Sequence, residues 1–106
     1  MIEIRMLKDD LHRFCGFHVV GHSGYQEEGS DIVCSAVSTL TINTVNSLEH
    51  LTHTRFTLQT DEKRGEMKLL CKDAVTDSEQ LLFQSLELGL KSIADSYSEY
   101  VNLIKS

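Results

Sequence analysis

The chain opens on a strict alternation: Ile2, Ile4 and Met6 stand at every second position, separated by Glu3 and Arg5. That is the period of a half-buried strand, expected over residues 2–8. Lys8-Asp9-Asp10 reads as a turn, and residues 12–21 as a second strand carried by Phe14, Phe17, Val19 and Val20, so the two make a hairpin. Over residues 22–30 the period disappears and two glycines enter, which marks a loop. Asp31 is placed to cap a helix running to about Leu51, on which Val33, Val37, Leu40, Thr41, Thr44, Val45 and Leu48 share one stripe. Its β-branched content lowers helix propensity, so packing must hold it. Arg55–Thr60 and Glu66–Lys72 read as two further strands joined by a turn at residues 61–65.

The last segment opens at Asp77, with Gln80 three residues on as a capping-box variant. A helix is expected from there to about Lys105, with Leu81, Leu82, Leu86, Leu88, Ile93, Tyr97, Tyr100, Val101 and Ile104 on its apolar face. The order ββαββα predicts an α+β two-layer sandwich, a small mixed or mostly antiparallel sheet carrying two main helices. Its 106 residues suit one domain, residues 1–106, in which any deep pocket must come from a loop or a partner subunit.

Ten basic residues against sixteen acidic ones give a net charge of −6. No segment clusters the lysines and arginines, which argues against direct nucleic-acid binding and for basic partners. No stretch approaches the roughly 20 apolar residues of a membrane span, and the N-terminus lacks the apolar run of a signal peptide. The expected address is the cytoplasm. There the three cysteines, Cys15, Cys34 and Cys71, are expected as thiols, since no CxxC is present and three cannot all pair.

Chemistry concentrates at the loop. Gly21-His22-Ser23-Gly24-Tyr25 closes a strand, and Gly29-Ser30-Asp31-Ile32-Val33-Cys34-Ser35 opens a helix. A loop that folds back brings His22 to Cys34. The unsatisfied N–H groups and positive dipole end of a helix start stabilise a thiolate, and an imidazole can accept the thiol proton. The same N–H groups are candidate oxyanion donors. The opposite reading stays open at this level: Cys34 as a small apolar residue of an amphipathic helix, His22 as a solvated side chain.

The segments Gly-His-Ser-Gly-Tyr and Gly-Ser-Asp-Ile-Val-Cys-Ser-Ala-Val-Ser, covering residues 21–38, resemble the signature of the ribosomal-processing cysteine protease family, also called Prp or YsxB-like. Length and element order extend the resemblance over the whole chain. It implies an enzyme that removes a short N-terminal extension from a large-subunit ribosomal protein precursor, a peptide ending in consecutive phenylalanines and so needing an apolar recognition pocket. It implies Cys34 as nucleophile, His22 as general base and acid, a homodimer, and a mobile substrate-gating loop containing Ser23, Gly24, Tyr25, Gly29 and Ser30. No cofactor or metal is implied.

Ser38 follows Cys34 by one helical turn and is a candidate to orient His22 or line the site; Asp31 is a second orienter candidate besides its capping role. Glu27, Glu28 and Asp31 stabilise a charged His22 but oppose a Cys34 thiolate. His50 and His53 have i, i+3 spacing, yet nothing in the sequence completes a zinc set around them. Cys15 and Cys71 fall on strands, where burial is the default. Two other functions remain in view: a non-enzymatic ribosome-assembly factor that only binds a basic ribosomal protein, and a redox or thioester-handling enzyme, weakened by the lack of a nearby resolving cysteine or cofactor motif.

Overall fold

A computed structural model describes residues 1–22 and 30–104, the side chains of residues 30 and 31 excepted. The opening alternation forms β1 (Ile2–Lys8), which turns back into β2 (Phe14–Val20) as an antiparallel hairpin. Helix α1 (Ser30–Leu51) follows, then the hairpin of β3 (Phe56–Asp61) and β4 (Glu66–Cys71), helix α2 (Asp77–Ser96) and a short β5 (Val101–Ile104). The five strands lie in the order β3-β4-β2-β1-β5. Neighbours are antiparallel except β5, which runs parallel to β1. This is the α+β architecture expected.

One face of the sheet is apolar and the other polar, as the period-2 pattern demands. Ile4 pairs with Val19 and Met6 with Phe17 across the first hairpin, and Phe17 pairs with Leu69 on β4. Their side chains meet Val33, Val37 and Leu48 of α1 and Phe83, Leu86 and Leu90 of α2 in one core. On the opposite face, Arg5, His18 and Lys68 lie side by side, and His18 Nε2 sits 2.7 Å from Glu66 Oε2.

The stripe read on α1 is the one buried. Val33, Val37, Thr41, Thr44 and Leu48 are buried, with Leu40 and Val45 packed at the margin. Two threonines survive there because each hydroxyl donates to a carbonyl one turn back, Thr41 to Val37 (3.0 Å) and Thr44 to Leu40 (2.9 Å).

The C-terminal third departs from expectation. Helix α2 stops at Ser96 rather than near Lys105, and the residues beyond form β5. Tyr97 leaves the helical region (φ −130°, ψ 48°) while its N–H still donates to Ile93, and a turn at Tyr97–Tyr100 redirects the chain. What wins over helical periodicity is the outer edge of β1, whose polar backbone groups need partners. Ile2 N–H donates to Tyr100 O at 2.8 Å, and Val101 and Leu103 pair with Ile2 and Ile4.

The buried stripe of α2 also shifts, to Glu79, Phe83, Leu86 and Leu90, which leaves Leu81 and Leu88 at 66% and 73% exposure. Its cap lies one residue earlier than expected. Thr76 is the N-cap, its hydroxyl accepting from Glu79 N–H while the Glu79 carboxylate accepts from Thr76 N–H, a complete capping box. Gln80 does other work: its amide donates to Phe14 O (2.9 Å) and its carbonyl accepts from Phe14 N–H (3.0 Å), fastening the start of α2 to the start of β2.

Candidate active site

Three segments meet at one end of the sheet: the exit of β2, the first turns of α1 and the β3–β4 turn. Gly21 ends β2 with φ +110°, a conformation side chains rarely tolerate, and a Cβ there would lie 2.2 Å from Met1 O. That glycine lets the chain leave the sheet and present His22 immediately afterwards. The His22 ring is exposed, and its Nε2 lies 3.1 Å from the backbone oxygen of Lys63 in the β3–β4 turn.

Helix α1 begins at Ser30, so Asp31 falls within its first turn rather than before it, and Cys34 comes four residues after the start. The Asp31 and Ser30 side chains, and Ser23, Gly24, Tyr25, Glu27, Glu28 and Gly29 altogether, lie outside the described residues. The readings attached to them, a gating loop and an orienting Asp31 among them, are not addressed by this geometry.

His22 and Cys34 line the same cleft, about 480 Å³ in volume. Ile2, Val19 and Met67 give it apolar walls, Ser38 stands one helical turn beyond Cys34, and Asp61, Glu62 and Glu66 add carboxylates. The cleft thus brings a thiol and an imidazole together beside an apolar surface. Asp61 and Glu66 are already engaged. Asp61 Oδ1 accepts from the Lys63 and Arg64 N–H groups, and Glu66 pairs with His18 and Arg64.

Two other depressions compare poorly. One, about 710 Å³ between α2 and the β1–β5 edge, is lined by neither cysteine nor histidine among the described residues. A small one of about 140 Å³ does combine Cys71 with His53. Burial, reinforced by the Glu79 carboxylate, pushes the Cys71 thiol up to about 12, which suppresses the thiolate that nucleophilic chemistry needs. Burial and then Asp9 likewise raise Cys15. None of the three cysteines is in a disulfide.

His50 sits in the last turn of α1, and among the described residues no group of three or more His, Cys, Asp or Glu converges as a metal set. Nor is any helix among them long and apolar enough to cross a membrane. His22, Cys34 and Ser38, named from the sequence, line this one cleft, and the β3–β4 turn, not named from the sequence, lines it with them. In sequence, Asp61 to Gly65 signals only a tight turn, with nothing to say that it reaches His22.

Comparison with known proteins gives the same direction. A relative from Staphylococcus aureus, the ribosomal processing cysteine protease Prp, is 28% identical over 103 residues, 97% of each chain. The crystal structure of the S. aureus protease in complex with a substrate peptide matches with a TM-score of 0.90 at 26% identity, over 100% of both chains. The structure of the S. aureus protease with a covalently linked product peptide gives 0.86 at 28%, over 97% of both. The model of the family described as cysteine protease Prp matches residues 1–102, and the chain belongs to that family.

Proposed function

We propose that this chain is the cysteine endopeptidase that removes a short N-terminal extension from a large-subunit ribosomal protein precursor, with Cys34 as nucleophile and His22 as general base and acid. The observation that carries the reading is that one cleft holds both side chains in a chain of this family. His22 takes the thiol proton and the Cys34 sulfur attacks the scissile carbonyl carbon. The tetrahedral intermediate collapses as the imidazolium returns that proton to the leaving amine, the new N-terminus of the mature protein. A water, deprotonated by His22, then cleaves the thioester and frees the extension as a carboxylate. The covalently linked product peptide in the S. aureus relative supports a covalent route.

The first-turn N–H groups of α1 are candidate oxyanion donors, since a helix start leaves them without intrahelical acceptors. Ser38 and Asp31 are assigned to lining the site. The apolar walls suit the phenylalanines implied by the family resemblance. The carboxylates at the rim and the net charge of −6 favour a basic ribosomal protein. The reading also entails a cytoplasmic enzyme, where such precursors are made, and a homodimer, checked by sedimentation.

The test is incubation with the precursor followed by intact-mass measurement. The wild type should release the extension. Cys34→Ala and His22→Ala should each slow release by at least about 1,000-fold while melting as the wild type does. Cleavage by Cys34→Ala at the wild-type rate would overturn the assignment. Stable binding without shortening would favour the assembly-factor alternative.

A further inference from the structure

We infer that His22 is oriented by the protein backbone: the Lys63 carbonyl, on the β3–β4 turn, holds the imidazole as its Nε2–H tautomer and leaves Nδ1 to act as the base. The inference rests on the assignment of His22 as general base. A carbonyl oxygen can only accept, so the 3.1 Å contact between Nε2 and Lys63 O requires a hydrogen on Nε2. In the neutral ring the lone pair then belongs to Nδ1. The task usually given to a carboxylate or amide side chain beside a catalytic histidine is performed here by a main-chain oxygen.

The oxygen is held in place at several points. Asp61 Oδ1 accepts from Lys63 N–H (3.0 Å) and Arg64 N–H (3.3 Å), which fixes the peptide planes of the turn. Gly21 N–H donates to Arg64 O (3.0 Å), so the residue before the histidine is tied to the residue after Lys63. Gly65 permits the close approach. Its φ is +59°, and a Cβ there would lie 2.5 Å from Gly21 O and 2.9 Å from His22 Cε1. A side chain at 65 would therefore push the turn away from the ring and lengthen the hydrogen bond. Lys63 and Gly65 are positioning residues: neither is assigned a contact with substrate.

The experiment reads the tautomer directly. The protein has five histidines, so long-range ¹H–¹⁵N spectra of ¹⁵N-histidine-labelled protein, near pH 8 and in the Cys34→Ala background, are assigned by comparison with a His22→Gln variant. The expected result is a protonated Nε2 and an unprotonated Nδ1 on His22; a predominant Nδ1–H tautomer overturns the proposal. Gly65→Asn is the second arm, because asparagine accepts a left-handed φ but still carries a Cβ. It should lower kcat about 10- to 100-fold with KM nearly unchanged, and its His22 spectrum should become a mixture of tautomers. A Gly65→Asn enzyme with wild-type kcat and tautomer also overturns it. If Gly65→Asn does not fold, the tautomer of the unmodified turn still decides. Failure of the protease assignment would show instead as an unshortened precursor, with the tautomer unaffected.

Discussion

The Glu79 carboxylate accepts a hydrogen bond from the Thr54 hydroxyl while its other oxygen closes the capping box with Thr76 N–H. One side chain thus starts α2 and ties it to the segment that follows α1. Burial alone would raise this carboxyl, but the hydrogen bonds from Thr54 and Thr76 outweigh it and hold Glu79 below the ordinary carboxylate range. A lowered folded-state value contributes stability that is fully present above the ordinary carboxylate pKa of about 4.3 and is lost as pH falls through the folded value. Glu79→Ala should therefore cost about 1–3 kcal/mol at pH 7. Urea unfolding at pH 7 and pH 3 should show the difference from wild type shrinking at the lower pH. A gap that widens on acidification would contradict this account.

The apolar residues of α2 divide sharply. Phe83 is fully buried, as is Phe17 of the sheet in the same core, whereas Leu81 and Leu88 face outwards. Phe83→Ala and Phe17→Ala should each cost about 3–5 kcal/mol through lost burial and a residual cavity. Leu81→Ala and Leu88→Ala should stay within about 0.5 kcal/mol in the monomer. If either leucine variant instead lowers stability in a concentration-dependent way, that leucine belongs to a subunit contact.

Thiol labelling separates the cysteines. With Cys71 pushed up to about 12, chiefly by burial, its thiolate is scarce at pH 8. Brief iodoacetamide treatment of native protein, followed by peptide mapping, should modify Cys34 well ahead of Cys71, with loss of precursor cleavage following Cys34 alone. Equal labelling of Cys71 in the folded protein would mean that its burial is not maintained in solution.

Charge steering predicts a salt effect. A protein of net charge −6 acting on a basic precursor should lose several-fold in kcat/KM between about 20 and 300 mM KCl, chiefly through the association step. A short uncharged peptide bearing the same cleavage site should show little of this dependence. Equal salt sensitivity for both substrates would remove the electrostatic explanation.

The parts legible in the sequence share one property: local period and tertiary environment agree. Ile2, Ile4 and Met6 alternate and are buried on one face; Val33, Val37, Thr41, Thr44 and Leu48 form a helical stripe and are buried along it. Where long-range pairing competes with local pattern, the reading failed. Val101-Asn102-Leu103-Ile104 continues the apolar spacing of a helix, yet the edge of β1 captures it as a strand. His22 and Cys34 could be proposed from the sequence because side-chain chemistry is written in residue identity. The Lys63 carbonyl was not, since every residue carries one and only the folded turn selects it.

The pairing of β5 with β1 also sets when one wall of the cleft can be completed in a newly made chain. Ile2 lines the cleft beside Cys34, and its backbone is fastened to Tyr100, which is translated after both helices and four of the five strands. A nascent chain that has already exposed His22 and Cys34 still lacks the strand that anchors one wall of their cleft. The strand that anchors this wall is therefore made after both side chains, and a polypeptide stalled before residue 100 carries His22 and Cys34 without the completed sheet.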